Sequence, residues 1–128
     1  PLRRKGGTVF GPVPRSHEKG LSRREKRNAL KSALSQKLRD EEILVLEALD
    51  LNSHRTADLV KQLDGLGVEG KTLLVDSVGN ENLQLASRNN PRLRVVDALS
   101  VNVYDVVDCP HFVASESALG RLVKVLSK

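Results

Sequence analysis

ILVLEALDLNSHRTADLVKQLDGLGVEGKTLLV, residues 43–75, decides the fold. It opens on Ile43-Leu44-Val45-Leu46, a short continuous apolar run of the kind carried by a strand buried on both faces. Asn52 or Ser53 caps the next helix, whose apolar stripe is Leu59, Val60 and Leu63 and which stops at Gly65 and Gly67. Thr72-Leu73-Leu74-Val75 is a second apolar strand. Two such strands joined through a helix form a β-α-β unit, and that unit implies a parallel sheet.

The alternation continues toward the C-terminus. Asn80 caps a short helix carrying Leu83, Leu85 and Ala86, which must end before Pro91. Residues 93–96 form a third strand, and Asn102 caps a helix with Val103, Val106 and Val107. Residues 111–114 form a fourth strand, after which Ser115 caps a last helix with Leu119, Leu122, Val123 and Leu126. The expected fold class is α/β: a parallel sheet of about four strands with right-handed crossovers and helices on both faces, in a Rossmann-like topology.

Ahead of this pattern the composition changes. Residues 1–39 carry 12 Lys and Arg against two acids, Glu18 and Glu25, while the remainder carries 9 against 14. The formal net charge of +5 is therefore a local +10 set beside −5. Up to Gly20, the pair Gly6-Gly7 and the run Gly11-Pro12-Val13-Pro14 cannot sustain a helix, so residues 1–21 are expected as an extended basic arm and residues 22–128 as the globular α/β domain. The glycine pair permits close approach of backbone to another surface, and the prolines stiffen the arm toward the domain. Ser22-Arg23-Arg24-Glu25 is a capping box that starts a helix. Its stripe is Leu30, Ala33, Leu34 and Leu38, but Arg23 and Arg27 stand where Leu30 and Leu34 should have apolar predecessors. The helix is thus expected to pack from about Ala29 onward, with its first two turns projecting as a cluster of cations.

Composition removes several classes of function. The 128 residues accommodate one core, and no apolar run approaches the roughly 18 residues of a membrane helix. Aromatics amount to 2%, namely Phe10, Tyr104 and Phe112 with no Trp, which argues against a platform of stacked bases. The single Cys109 excludes an internal disulfide and reads as a small buried hydrophobe in a reducing compartment. Gly65-Leu66-Gly67-Val68-Glu69-Gly70 matches G-x-G-x-x-G, yet it closes a helix and leads into a strand, the reverse of the dinucleotide-binding context. Residues 77–80, Ser-Val-Gly-Asn, lie at a strand's C-terminal end and are the one loop suited to a small ligand or nucleotide, although no Lys-Ser/Thr pair accompanies them. His17, His54 and His111 have neither metal-ligand nor base-nucleophile spacing. Neither a catalytic residue nor a cofactor is expected.

Nucleic acid is the partner class that the arm suits. A segment so one-sided in charge repels itself until a polyanion neutralises it, and the arginine fork pairs phosphate oxygens bidentately. The absence of a zinc-finger or recognition-helix pattern favours shape-selective RNA binding over sequence-specific DNA binding.

Gly6-Gly7-Thr8-Val9-Phe10-Gly11-Pro12, Pro14-Arg15 and residues 29–35, ALKSALS, resemble the bacterial form of the large-subunit ribosomal protein four family. Glu81-Asn82-Leu83, Ala86-Ser87-Arg88-Asn89 and residues 99–105 agree with it, so the resemblance runs the length of the chain. It implies a structural, non-catalytic protein of the cytoplasmic or organellar ribosome that binds large-subunit ribosomal RNA early in assembly. It also implies neighbouring large-subunit proteins as partners, no membrane, no homo-oligomer, and a basic extension reaching the peptide exit tunnel. The tip of that extension is expected to precede Pro1. Where the family usually has Trp-Arg-Gly before the glycine pair, this sequence has Arg3-Arg4-Lys5, charge in place of an aromatic contact. The expected phosphate contacts are Arg3, Arg4, Lys5, Arg15, Lys19, Arg23, Arg24, Arg27 and Lys31, with the Gly6-Gly7 backbone close to RNA. Two other readings compete with this one: a small-ligand or nucleotide-binding α/β enzyme using residues 77–80, and a module whose acidic domain docks a basic protein.

Overall fold

The four apolar runs become four strands, β1 (Ile43–Leu46), β2 (Thr72–Asp76), β3 (Leu93–Asp97) and β4 (His111–Ser115). The computed structural model describes residues 4, 6–7, 10–77 and 79–127. Five helices accompany the strands: α1 (Arg23–Arg39), α2 (Thr56–Gly65), α3 (Glu81–Ser87), α4 (Val103–Asp108) and α5 (Glu116–Leu126). Every strand pairing is parallel, in the order β1-β4-β2-β3, so the last strand in sequence is inserted between the first two.

Side chains alternate across the sheet because the strand period is two. Leu44, Val113, Leu74 and Val95 lie in register as one row, and that face carries Leu59 and Leu63 of α2 with Leu83 and Ala86 of α3. The neighbouring row, Ile43, Phe112 and Leu73, faces the opposite way. There it meets Val106 of α4, Ala118 and Leu122 of α5, and Leu30, Ala33 and Leu34 of α1. Helices on both faces of a parallel sheet are the expected α/β arrangement.

Local chemistry explains where the helices begin and end. The capping box forms in both directions: the Ser22 amide donates to Glu25 Oε2 at 2.7 Å, and the Glu25 amide donates to Ser22 Oγ at 3.2 Å. Asn80, Asn102 and Ser115 cap α3, α4 and α5 through their side chains, as their positions in the sequence indicate. Helix α2 differs, since its N-cap is Arg55 without a side-chain bond, and Ser53 donates to the Asp58 carboxylate instead of capping. Its C-terminus closes in a Schellman motif, with Gly67 N–H donating to Asp64 C=O at 3.0 Å and Val68 N–H donating to Leu63 C=O at 3.1 Å. Gly67 has φ +72° there, so the middle glycine of G-x-G-x-x-G ends a helix and does not open one onto a phosphate.

Five side chains depart from the expected stripes, Val123 of α5 among them at 56% exposed. Val45 is 48% exposed because β1 is an edge strand, so this strand is half-buried and not enclosed on both faces. Leu38 is 67% exposed and lines, with Val45 and Val123, an apolar groove between α1, β1 and α5. Leu85 and Val107 are exposed as well, since helices of seven and six residues turn only a narrow face to the sheet. Helix α1 contains no fully buried residue and packs through half-buried Leu30, Ala33 and Leu34, with Lys37 donating to Pro110 C=O at 3.0 Å.

Candidate nucleic-acid interface

Helix α1 lies on the face of the sheet that carries α4 and α5, and its first packed side chain is Leu30. N-terminal to that contact only Arg27 is half-buried among residues 10–29, and the rest project. Arg23 and Arg24 are exposed in the first turn, Arg27 is half-buried one turn later, and Lys31 is exposed. Arg27 lines a groove with Leu30, Val101 and Val103, which lets the aliphatic stem cover apolar surface while the guanidinium stays in water. Residues 11–22 contain neither helix nor strand and are exposed throughout, Arg15 and Lys19 among them. Arg4 is exposed at a turn, and Gly6 has φ 73°. A Cβ built on Gly7 meets nothing within 4 Å, so its backbone is open to approach. Arg3 and Lys5 lie outside the described residues.

Clustering, more than the lack of a partner, separates these cations from the others: four bases fall within residues 23–27 around one acid, whereas Arg55, Lys61 and Arg121, also without an ion pair among the described residues, stand singly. Among the described residues the ion pairs are Lys37 with Glu42, Lys71 with Asp108, and Arg94 with Asp105, whose Nη1 and Oδ1 stand 2.9 Å apart. Asp105 is 1% exposed, so Arg94 serves the interior of the domain. None of Arg4, Arg15, Lys19, Arg23, Arg24, Arg27 and Lys31 has an acidic partner among the described residues. The one acid of the first turn, Glu25, is held by the cap. Its carboxyl is pulled below its ordinary value by the backbone hydrogen bond from Ser22, with the Ser22 hydroxyl adding to the effect.

Arg23 and Arg24 also stand at the positive end of the helix macrodipole, where cations are unfavourable and anions stabilise. Mutual repulsion and the dipole act in the same sense, and a phosphate placed there relieves both. Lys26, beside them on the same exposed turns, is a cation that the expected set of contacts leaves out. Its signal was present in the sequence, since it belongs to the same uncompensated run.

The loop at residues 77–80 has different chemistry. Val78 lies outside the described residues, while Ser77, Gly79 and Asn80 line a crevice with Glu47, Asp50 and Asp76. The Asp76 carboxylate accepts from the Ser77 amide at 2.8 Å, from Asn80 Nδ2 at 2.8 Å and from Ser115 Oγ at 2.7 Å. These bonds tie the ends of β2 and β4 together around a negative charge, an arrangement that repels a phosphate. Among the described residues no three His, Cys, Asp or Glu side chains converge as a metal site. Burial, the largest influence, pushes the Cys109 thiol up, as expected of a small apolar side chain in the core.

Residues 1–125 match the family model described as Ribosomal protein L4/L1 family. The chain is 40% identical over 127 residues to the large ribosomal subunit protein uL4 of Lactobacillus gasseri, covering 99% of this chain and 61% of that protein. It is 42% identical over 122 residues to the protein of the same name from Brevibacillus brevis, covering 95% of this chain and 59% of that protein. The chain therefore spans about three-fifths of the length of the curated relatives it matches.

Proposed function

Because the chain belongs to the ribosomal protein L4/L1 family, we propose that it is a structural, non-catalytic constituent of the large ribosomal subunit. In this reading the basic arm and the first two turns of α1 hold ribosomal RNA, the α/β domain anchors them, and the contact supports subunit assembly in the cytoplasmic ribosome. Neighbouring large-subunit proteins complete its surroundings, and no self-association is required. Among the described residues no helix is long and apolar enough to cross a membrane.

The observation that carries the proposal is the row of uncompensated cations at the exposed N-terminus of α1. A merely solvated helix surface would alternate charges, whereas residues 23–27 crowd four bases around one acid, and that acid is held by the cap. RNA phosphates supply the missing anions, and binding that releases condensed counterions weakens steeply with salt.

The test is the triple charge reversal R23E/R24E/R27E in the full chain, with purified bacterial large-subunit ribosomal RNA as ligand. Affinity is expected to fall at least tenfold, with the slope of log affinity against log salt flattened by about one for each phosphate that is no longer neutralised. The melting temperature should stay within a few degrees, because none of the three side chains is buried. Unchanged affinity and unchanged salt slope would overturn the assignment.

A further inference from the structure

The chain has two phenylalanines, and the structure places them at opposite extremes. Phe112 is 1% exposed in the centre of the sheet, whereas Phe10 is 91% exposed in the arm. Phe10 is also the one aromatic residue ahead of Tyr104. A solvated basic tail has no use for a bare phenyl ring, which costs free energy in water and promotes association.

Its surroundings in the chain indicate what covers it. Arg4 and Arg15 flank Phe10 at six and five residues in the sequence, so the ring lies within the arm's run of cations. Gly11 is its immediate neighbour and brings no side chain against the ring. Pro12 and Pro14 stiffen the next residues, and residues 11–22 are exposed throughout. A polyanion gripped by both arginines passes the ring that lies between them in the chain. In RNA the apolar, planar surface next to the phosphates is the face of a base.

We propose that Phe10 is an aromatic wedge that stacks on an unpaired base of the RNA held by the arm, an inference that rests on the RNA-binding reading above. One ring between two phosphate anchors is not the multi-base platform that the low aromatic content argues against. It fixes the register of the arm at one nucleotide, a task that point charges distributed along a uniform backbone cannot perform.

Because stacking involves no charge, it separates experimentally from the phosphate contacts. Phe10→Ala is expected to weaken binding of bacterial large-subunit ribosomal RNA by about tenfold, the size of a single base stack, with the salt slope unchanged. Phe10→Tyr and Phe10→Trp should restore it. The chain has no tryptophan, so Phe10→Trp also introduces a single fluorophore, whose emission should be quenched on adding the RNA. Wild-type affinity for Phe10→Ala, or unchanged emission for Phe10→Trp with RNA bound, overturns the wedge. A blue shift without quenching overturns it in favour of an apolar protein contact. A wild-type chain that does not bind the RNA overturns the RNA-binding reading itself, and the wedge with it.

Discussion

Two residues in equivalent places show how the fold is balanced. Helices α1 and α2 both end in Schellman motifs, and the residue at the left-handed position is Glu41 in one and Gly67 in the other. Glu41 has φ 56° and its amide donates to Leu38 C=O, while Glu42 N–H donates to Lys37 C=O at 3.1 Å. A side chain in that conformation carries strain of about 1–2 kcal/mol, which glycine avoids at some cost in unfolded-chain entropy. Glu41→Gly is therefore expected to be neutral or stabilising by up to about 1 kcal/mol, and Gly67→Ala destabilising by about 1–2 kcal/mol. Urea unfolding midpoints of the two variants check the pair. Open space around the Cβ site of Gly67 makes backbone conformation, and not packing, the cause.

Among the elements, α1 is held most weakly. It is the longest helix, at 17 residues, and yet it buries none of them fully, so its persistence depends on its cap, on three half-buried apolar contacts and on the bonds from Lys37 to Glu42 and Pro110. Ser22→Ala should cost α1 about 1 kcal/mol, read as faster hydrogen exchange of its first two turns while β2 and β4 keep their protection. The cap also makes α1 sensitive to pH. The Glu25 carboxyl is lowered in the folded chain, chiefly by the Ser22 backbone bond, so its stabilisation is complete above the ordinary value of 4.5 and is lost as pH falls through the lowered value. Amide exchange in the first turn should thus accelerate, relative to the intrinsic rate, as the solution is acidified below about pH 4.5, and Glu25→Gln should remove most of that dependence. A response of equal size in the Glu25→Gln variant would assign it to another carboxylate.

At the scale of the whole molecule, charge and core occupy different parts of the chain. Residues 1–39 carry +10 and the rest −5, while among the described residues every fully buried one belongs to the segment after α1. Binding and folding are therefore expected to separate on truncation. A chain of residues 22–128 should keep the melting temperature of the full chain within a few degrees, since residues 11–21 are exposed. It should bind ribosomal RNA more weakly and with a flatter salt slope, because it lacks Arg3, Arg4, Lys5, Arg15 and Lys19. Calorimetry and filter binding at two salt concentrations measure the two effects independently. A large fall in melting temperature would mean that the arm is part of the fold.

Element type, element order and most boundaries were legible in the linear pattern, because they rest on interactions within a few residues. Ser22 reaches Glu25, Asn80 reaches Leu83 and Asn102 reaches Asp105, whatever the remainder of the chain does. The segregation of charge was equally legible, and with it the cations of the candidate interface. Strand order was not, because the insertion of β4 between β1 and β2 depends on partners far apart in sequence. That one choice makes β1 an edge, which is why Val45 is exposed where a continuous apolar run suggested enclosure. Tertiary structure also decided which cations are free. Lys71 and Asp108 lie 37 residues apart in sequence and stand 3.0 Å apart in the fold, and Arg94 of β3 reaches Asp105 of α4, whereas among the described residues no packed element brings an acid to Arg23 or Arg24. Local bonds determine which elements form, and only the packed fold determines which charges are left without partners.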